Sequence, residues 1–265
     1  MSGTHHRTWQ QYHVGHLALT VQLDSTSEGR NLAQHQNLAG VTRQLIAVME
    51  AERVPATWAV SDPAHSAATS LILKSAVEHE LAILGDANWV GPTAGRTRFA
   101  RELVRRMTQA RAAGLEVTTL VPGVASVESH IDLVVKQQIT AVAGLNATTS
   151  TQLHSEPRAL HYGVWEVPTS ASLPLQRTWF SSGKSALWRR VRRTVREAGS
   201  FHLLIDAAAI AALGRSEEST IKWLMKRIGG LRDRGLIRIE TLRATAARLS
   251  DVPAVSPQRS ILRVA

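Results

Sequence analysis

Short apolar, β-rich runs recur along this chain, and nearly every one is followed by a stretch with helical periodicity. No other feature constrains the fold as much, because repeated strand–helix–strand units build a parallel sheet. The runs cover residues 17–23, 55–60, 80–84, 116–121, 139–142, 163–167, 201–205 and 236–241. The intervening spacing predicts helices. One runs through Glu52 from a cap at Asn31 or Asn37, with Leu38, Val41, Leu45, Val48 and Met49 on one face. Pro63 suits the first turn of a second, extending to Glu78. Others are predicted over 97–113, from Ser126 or Ser129 to Lys136, over 181–198 and over 219–234. Gly114 and Gly235 follow two of these helices, where a left-handed C-cap belongs. About seven such units overfill a small doubly wound sheet and suit a barrel instead. The expected fold is therefore α/β: a single distorted or incomplete (β/α) barrel of about seven parallel strands over 15–250. A polar tail at 1–14 and a second tail at 251–265 flank it.

A chain of 265 residues is long enough to bury one sizeable core, and 44% hydrophobic residues is ordinary for a globular protein. No cysteine is present, which excludes disulfides, thiolate metal sites and a cysteine nucleophile. The first thirteen residues are polar and His-rich, without the apolar core of a secretory signal. No apolar stretch approaches the ~18 residues of a membrane span, so the expected location is cytoplasmic. Thirty-one Lys and Arg against twenty-one Asp and Glu give a net charge of +10, which favours anionic partners in general without specifying a site.

In parallel barrels, functional side chains lie at the C-terminal ends of strands. Here that edge carries Asp24, the segment from Leu84 to Asn88, Pro122 and Asp206. The phrases at this edge carry a resemblance. Thr20-Val21-Gln22-Leu23-Asp24, Val54-Pro55-Ala56-Thr57-Trp58-Ala59-Val60, Glu78-His79-Glu80-Leu81-Ala82 and Leu120-Val121-Pro122-Gly123 occur in the order of the polysaccharide deacetylase motifs. The last motif is matched by His202-Leu203-Leu204-Ile205-Asp206. Over roughly residues 15–250 the chain resembles that family, whose members are metal-dependent and remove acetyl groups from amino sugars. The segment Val164-Trp165-Glu166-Val167-Pro168 resembles the allantoinase-like branch.

The resemblance also implies what has been replaced. Gln22 stands where the family's catalytic base would be, and Gln has no proton-accepting form near pH 7. Asp24 is the residual metal-ligand candidate. Leu84 and Asn88 occupy the positions of two histidine ligands; leucine cannot coordinate and a neutral amide is a poor substitute for imidazole. Leu120 replaces an orienting arginine. Asp206 replaces the acid histidine, and an unperturbed Asp is a carboxylate at pH 7.

Asp24, Asp206 and His202 are the candidates for any remaining catalysis. Trp89, Trp165 and Glu166, with Trp179, are candidates to contact a sugar, because an aromatic face stacks on its C–H surface. Asp24, Glu28, Asp86 and Asp206 form a possible all-oxygen Mg²⁺ or Ca²⁺ set; solvated or Arg-paired carboxylates are the preferred reading. The densest basic run holds Arg189, Arg190, Arg192, Arg193 and Arg196 around an apolar face of Trp188, Val191 and Val195. The leading expectation is a non-catalytic deacetylase-like barrel, a pseudoenzyme that binds a carbohydrate or an enzyme partner, with no cofactor. One alternative is a divergent hydrolase acting on a C–N bond through a rearranged site, with a rearranged metal or none; a divalent ion such as Zn²⁺ is expected only on this reading. The other is an interaction protein docking acidic partners through its basic helices.

Overall fold

The structure, a computed structural model, describes residues 14–23, 32–91, 93–123, 126–146, 156–175, 183–213 and 215–251. Both terminal tails fall almost wholly outside these residues. In chain order the elements are β1 (Gly15–Gln22), α1 (Leu32–Ala51), β2 (Thr57–Val60), α2 (Ala67–Leu73), β3 (Glu80–Leu84) and α3 (Gly95–Ala112). Then come β4 (Thr119–Val121), α4 (Ile131–Lys136), β5 (Ala141–Asn146), β6 (Arg158–Ala159), β7 (Trp165–Thr169) and β8 (Ala171–Leu173). The last are α5 (Gly183–Glu197), β9 (Ser200–Asp206), α6 (Ala207–Leu213), α7 (Arg215–Asp233), β10 (Ile237–Glu240) and α8 (Leu242–Asp251).

All the described strands join one sheet, in the order β6-β7-β5-β4-β3-β2-β1-β9-β8 with β10 also paired to β1, and among them every pairing is parallel except that of β6 with β7. The extended run from Trp165 to Leu173 is broken only at Ser170. Its first half pairs with β5 and its second half with β9. The Ser170 N–H donates to the His202 carbonyl (2.8 Å), and the His202 N–H donates to the Ser170 hydroxyl (3.1 Å), so the ladder continues through the break. This segment thus joins the two ends of the sheet, and seven parallel strands form a distorted (β/α) barrel. On one edge of β1, β10 pairs along residues 15–18 and β2 along residues 20–22, so β10 is wedged in at the N-terminal end.

Strand alternation divides the side chains between two cores. Outward residues such as Leu19, Val21, Trp58, Ile83, Leu120 and Leu203 meet the apolar faces of the surrounding helices, including Met49, Phe99, Leu103 and Leu224. Inward residues are mostly small: Ala18, Ala59, Ala82, Ala141 and Ala143, with Leu84, Val121 and Val167. Helix α8 closes the floor. Its Leu242 and Ala246 join the inner cluster, and the Trp165 indole N–H donates to the Ser250 hydroxyl (3.0 Å).

Several boundaries differ from those predicted. Helix α2 stops at Leu73 because Glu50 of α1 accepts from the Ser75 hydroxyl (2.8 Å) and the Ala76 N–H (2.9 Å), which draws the chain out of the helix. Strand β5 extends to Asn146, into a stretch whose polar sequence reads as loop. Helices α6 and α8 carry no strong local signal. Both are short and alanine-rich, and each follows directly on the strand end that it caps or covers.

Candidate functional site at the barrel mouth

The parallel strands end together on one rim, and the register decides what faces its centre. Ala18 lies in the inner cluster, so Thr20 and Gln22, two and four residues on, also face inward. Their neighbour β9 is in register, pairing Ala18 with His202, Thr20 with Leu204 and Gln22 with Asp206. Gln22 and Asp206 are therefore adjacent at the top of the barrel. Leu84 ends β3 on the same inner face, only 2% exposed, in a cluster with Ala59, Ala82 and Val121.

Three charged groups at this rim already have local work: Asp206, Asp86 and Arg106. Asp206 caps α6, its carboxylate accepting the Ala209 N–H (2.9 Å), which satisfies an otherwise orphaned donor. Asp86 accepts the Asn88 N–H (2.8 Å) and closes the turn after β3, which leaves the Asn88 side chain exposed. The Arg106 guanidinium lies 3.8 Å from Asp86, donates to the Ser61 carbonyl and covers the Trp89 ring at 5.1 Å. Burial pushes the Arg106 pKa down, with Arg105 adding to the shift and Asp86, Glu102 and Asp62 opposing it.

A zinc site needs about three converging nitrogen, oxygen or sulfur ligands. Among the described residues no three His, Asp or Glu side chains group to hold a metal. An apolar Leu84, a solvent-facing Asn88 and a helix-capping Asp206 do not fit the family's divalent ion. Asp24 and Glu28 lie outside the described residues, as does Trp179.

The other sequence candidates are spread through the barrel. Trp89 is 1% exposed and packs against Phe99 (5.5 Å between ring centroids) in the outer core. Leu120 is buried on the outer face of β4. Trp165 sits at the floor, bonded to α8. Glu166 is on the outer face, in an ion pair with Arg158, which also reaches Glu128 at 3.0 Å. Sequence reasoning missed a cluster at the floor. Glu80, 3% exposed, accepts from the hydroxyls of Thr57 (2.7 Å) and Thr119 and from the Arg243 N–H (3.0 Å). A glutamate opening an apolar strand, in phase with two strand threonines, was the available signal.

His202 lies below the rim, 2% exposed, with Nε2 2.8 Å from the Thr20 hydroxyl and Nδ1 3.5 Å from that of Thr169. Burial pushes its pKa down to about 4, against the smaller opposing effect of the Val167 and Pro168 backbone. The native imidazole is therefore neutral where an unfolded one, near 6.5, takes up a proton. Its contribution is complete above pH 6.5 and is lost progressively as pH falls towards about 4. Urea unfolding at pH 7.5 and 4.5 is expected to show His202→Asn losing about 2–3 kcal/mol less than the parent between the two pH values. Equal losses would mean that His202 is not held neutral.

By sequence, no protein-family model matches the chain and no curated protein matches it. Its structure is similar to several solved ones. A candidate polysaccharide deacetylase from Mycobacterium smegmatis superposes with a TM-score of 0.67 at 14% identity, covering 91% of this chain and 92% of that one. A candidate polysaccharide deacetylase involved in O-antigen biosynthesis from Bordetella bronchiseptica gives 0.51 at 14% identity, with 90% and 92% covered. A family 57 glycoside hydrolase branching enzyme from Thermococcus kodakaraensis, solved with glucose, gives 0.57 at 9% identity, covering 90% of this chain and 71% of that one. The near-complete mutual coverage of the first two, with the parallel barrel and the phrases along its rim, makes this chain a protein of the polysaccharide deacetylase-like (β/α) barrel fold.

Proposed function

We propose that this protein is a non-hydrolytic member of that fold, which holds a carbohydrate at the barrel mouth without cleaving it. The observation that carries this reading is Leu84. Where the fold's enzymes place a metal-binding imidazole, this chain buries an isobutyl group among Ala59, Ala82 and Val121. Burying a leucine contributes roughly 1.5–3 kcal/mol to stability, so this residue builds a wall of the site instead of coordinating. Gln22 beside Asp206 leaves a rim that can donate and accept hydrogen bonds to sugar hydroxyls, with an amide that cannot accept a proton at the base position and the Asp206 carboxylate engaged in capping α6. The saccharide chemistry named for the structural neighbours supports the ligand class.

N-acetylglucosamine oligomers are expected to bind the parent in calorimetry, and Leu84→Arg, which puts a bulky cation into the mouth, should weaken binding at least about tenfold. No acetate should be released when Zn²⁺ or Co²⁺ is added. Metal-dependent turnover abolished by Asp24→Ala would overturn the proposal.

A further inference from the structure

Helix α5 lies on the outside of the barrel, away from the mouth, and its basic run sorts by direction. Leu187 and Val191 are buried against the core. Arg190 turns back to the barrel and donates to the Ser170 carbonyl. Arg189, Arg192, Arg193 and Arg196 are left together on the opposite, exposed face, and none of them forms an ion pair with another described residue. The neighbouring α7 continues the positive surface. Trp188 of α5 meets Trp223 of α7 edge to face (6.1 Å), and the exposed Arg227 covers both rings, at 5.2 and 4.7 Å. Lys222 and Lys226 of α7 are also exposed.

We propose that the exposed faces of α5 and α7 form a docking surface for the phosphate backbone of duplex nucleic acid, bound without regard to sequence. Line charge supports this choice. Arg196 lies seven residues beyond Arg189, about 10 Å along the helix, and the exposed face between them carries four cations. Duplex nucleic acid offers about one phosphate per 1.7 Å of axis, dense enough to meet all four. Guanidinium matches phosphate geometry in bidentate fashion, and the run on α5 is arginine throughout. A lipid surface is disfavoured because the apolar side chains of α5 face the barrel. Among the described residues the exposed large hydrophobic ones, such as Leu71, Val104 and Tyr162, lie on neither helix. Arg227 covers the Trp188 and Trp223 rings, so this surface offers contacts to phosphate and not a platform for base stacking.

The test is fluorescence anisotropy with a labelled duplex of arbitrary sequence, from 50 to 200 mM salt. Four phosphate contacts give a slope of log K against log salt near −3.6, hence a loss of about 100-fold across that range. Arg189→Gln, Arg193→Gln and Arg196→Gln combined should weaken binding at 50 mM salt at least about tenfold and flatten the slope by about 2.7. A charge-matched control on other surfaces, Arg98→Gln, Arg101→Gln and Lys74→Gln, should keep the parent's slope. Thermal melts confirm that both variants are folded. Equal weakening by the two variants would reduce the effect to net charge and overturn the proposal. So would binding to phosphatidylserine vesicles with none to duplex. The surface is independent of the mouth, so Leu84→Arg should leave duplex binding unchanged whatever it does to sugar binding.

Discussion

Glu80→Ala is expected to cost about 3–5 kcal/mol, a large share of the ~5–15 kcal/mol that holds a domain of this kind. The carboxylate is the common acceptor at the barrel floor. Removing it strands the Thr57 and Thr119 hydroxyls and the Arg243 N–H in a buried place, and each unsatisfied group costs about 1–3 kcal/mol. Thr57 is doubly committed, since its oxygen also accepts the Leu242 N–H (2.9 Å) at the start of α8. The loss should therefore loosen the helix that closes the barrel. Glu80→Gln keeps one carbonyl acceptor and should fall between parent and alanine. Thr119→Val should cost less by itself, because it removes a donor and leaves the acceptor its other partners. Combined with Glu80→Ala it should be less than additive, as expected of partners in one network. Urea denaturation of the four variants measures this. A Glu80→Ala loss below about 1 kcal/mol would mean that the floor is held by packing, not by this cluster.

Leu84→His with Asn88→His is expected to turn a chain with weak, non-specific Zn²⁺ affinity into one that binds the ion at least about 100-fold more tightly. Leu84 already faces the inside of the mouth, so an imidazole there is aimed correctly. Residue 88 follows in a turn pinned by Asp86, and Asp24, the residual metal-ligand candidate of the resemblance, is the third ligand this expectation calls on. Without metal the double variant should be less stable than the parent, because a buried leucine is replaced by a polar ring. Zn²⁺ at about 100 times its Kd should add back about 2.7 kcal/mol. Deacetylation should not return with the metal, since Gln22 still supplies no base and Asp206 is committed to capping α6. Calorimetry on parent and variant decides it. Equal, weak binding by both would show that the turn after Leu84 does not present residue 88 to the mouth.

These expectations differ in how far they could be read from the sequence. The inward placement of Gln22, Leu84 and Asp206 was legible, because a strand's two-residue period fixes which side chains share a face once the strand is recognised. The roles of Trp89 and Trp165 were not. Near a strand end an aromatic ring suits a core and a mouth equally well, and only the contacts with Phe99, Arg106 and Ser250 distinguish them. The basic run was visible as charge, but its division into Arg190 on one side and four solvent-facing arginines on the other required the helix to be docked.

The sequence by itself determined the succession of strands and helices, the parallel sheet and the presence of Gln22, Leu84, Asn88 and Asp206 at or just beyond strand ends. These rest on local periodicity and residue chemistry, which hold wherever the chain lies in space. Tertiary structure alone decided that residues 165–173 close the ring between β5 and β9, that α8 seals the floor over Glu80, and that β10 shares an edge of β1 with β2. Each of these depends on groups far apart in the chain. Their pairing is selected by which buried donors and apolar faces remain to be satisfied after the local elements have formed.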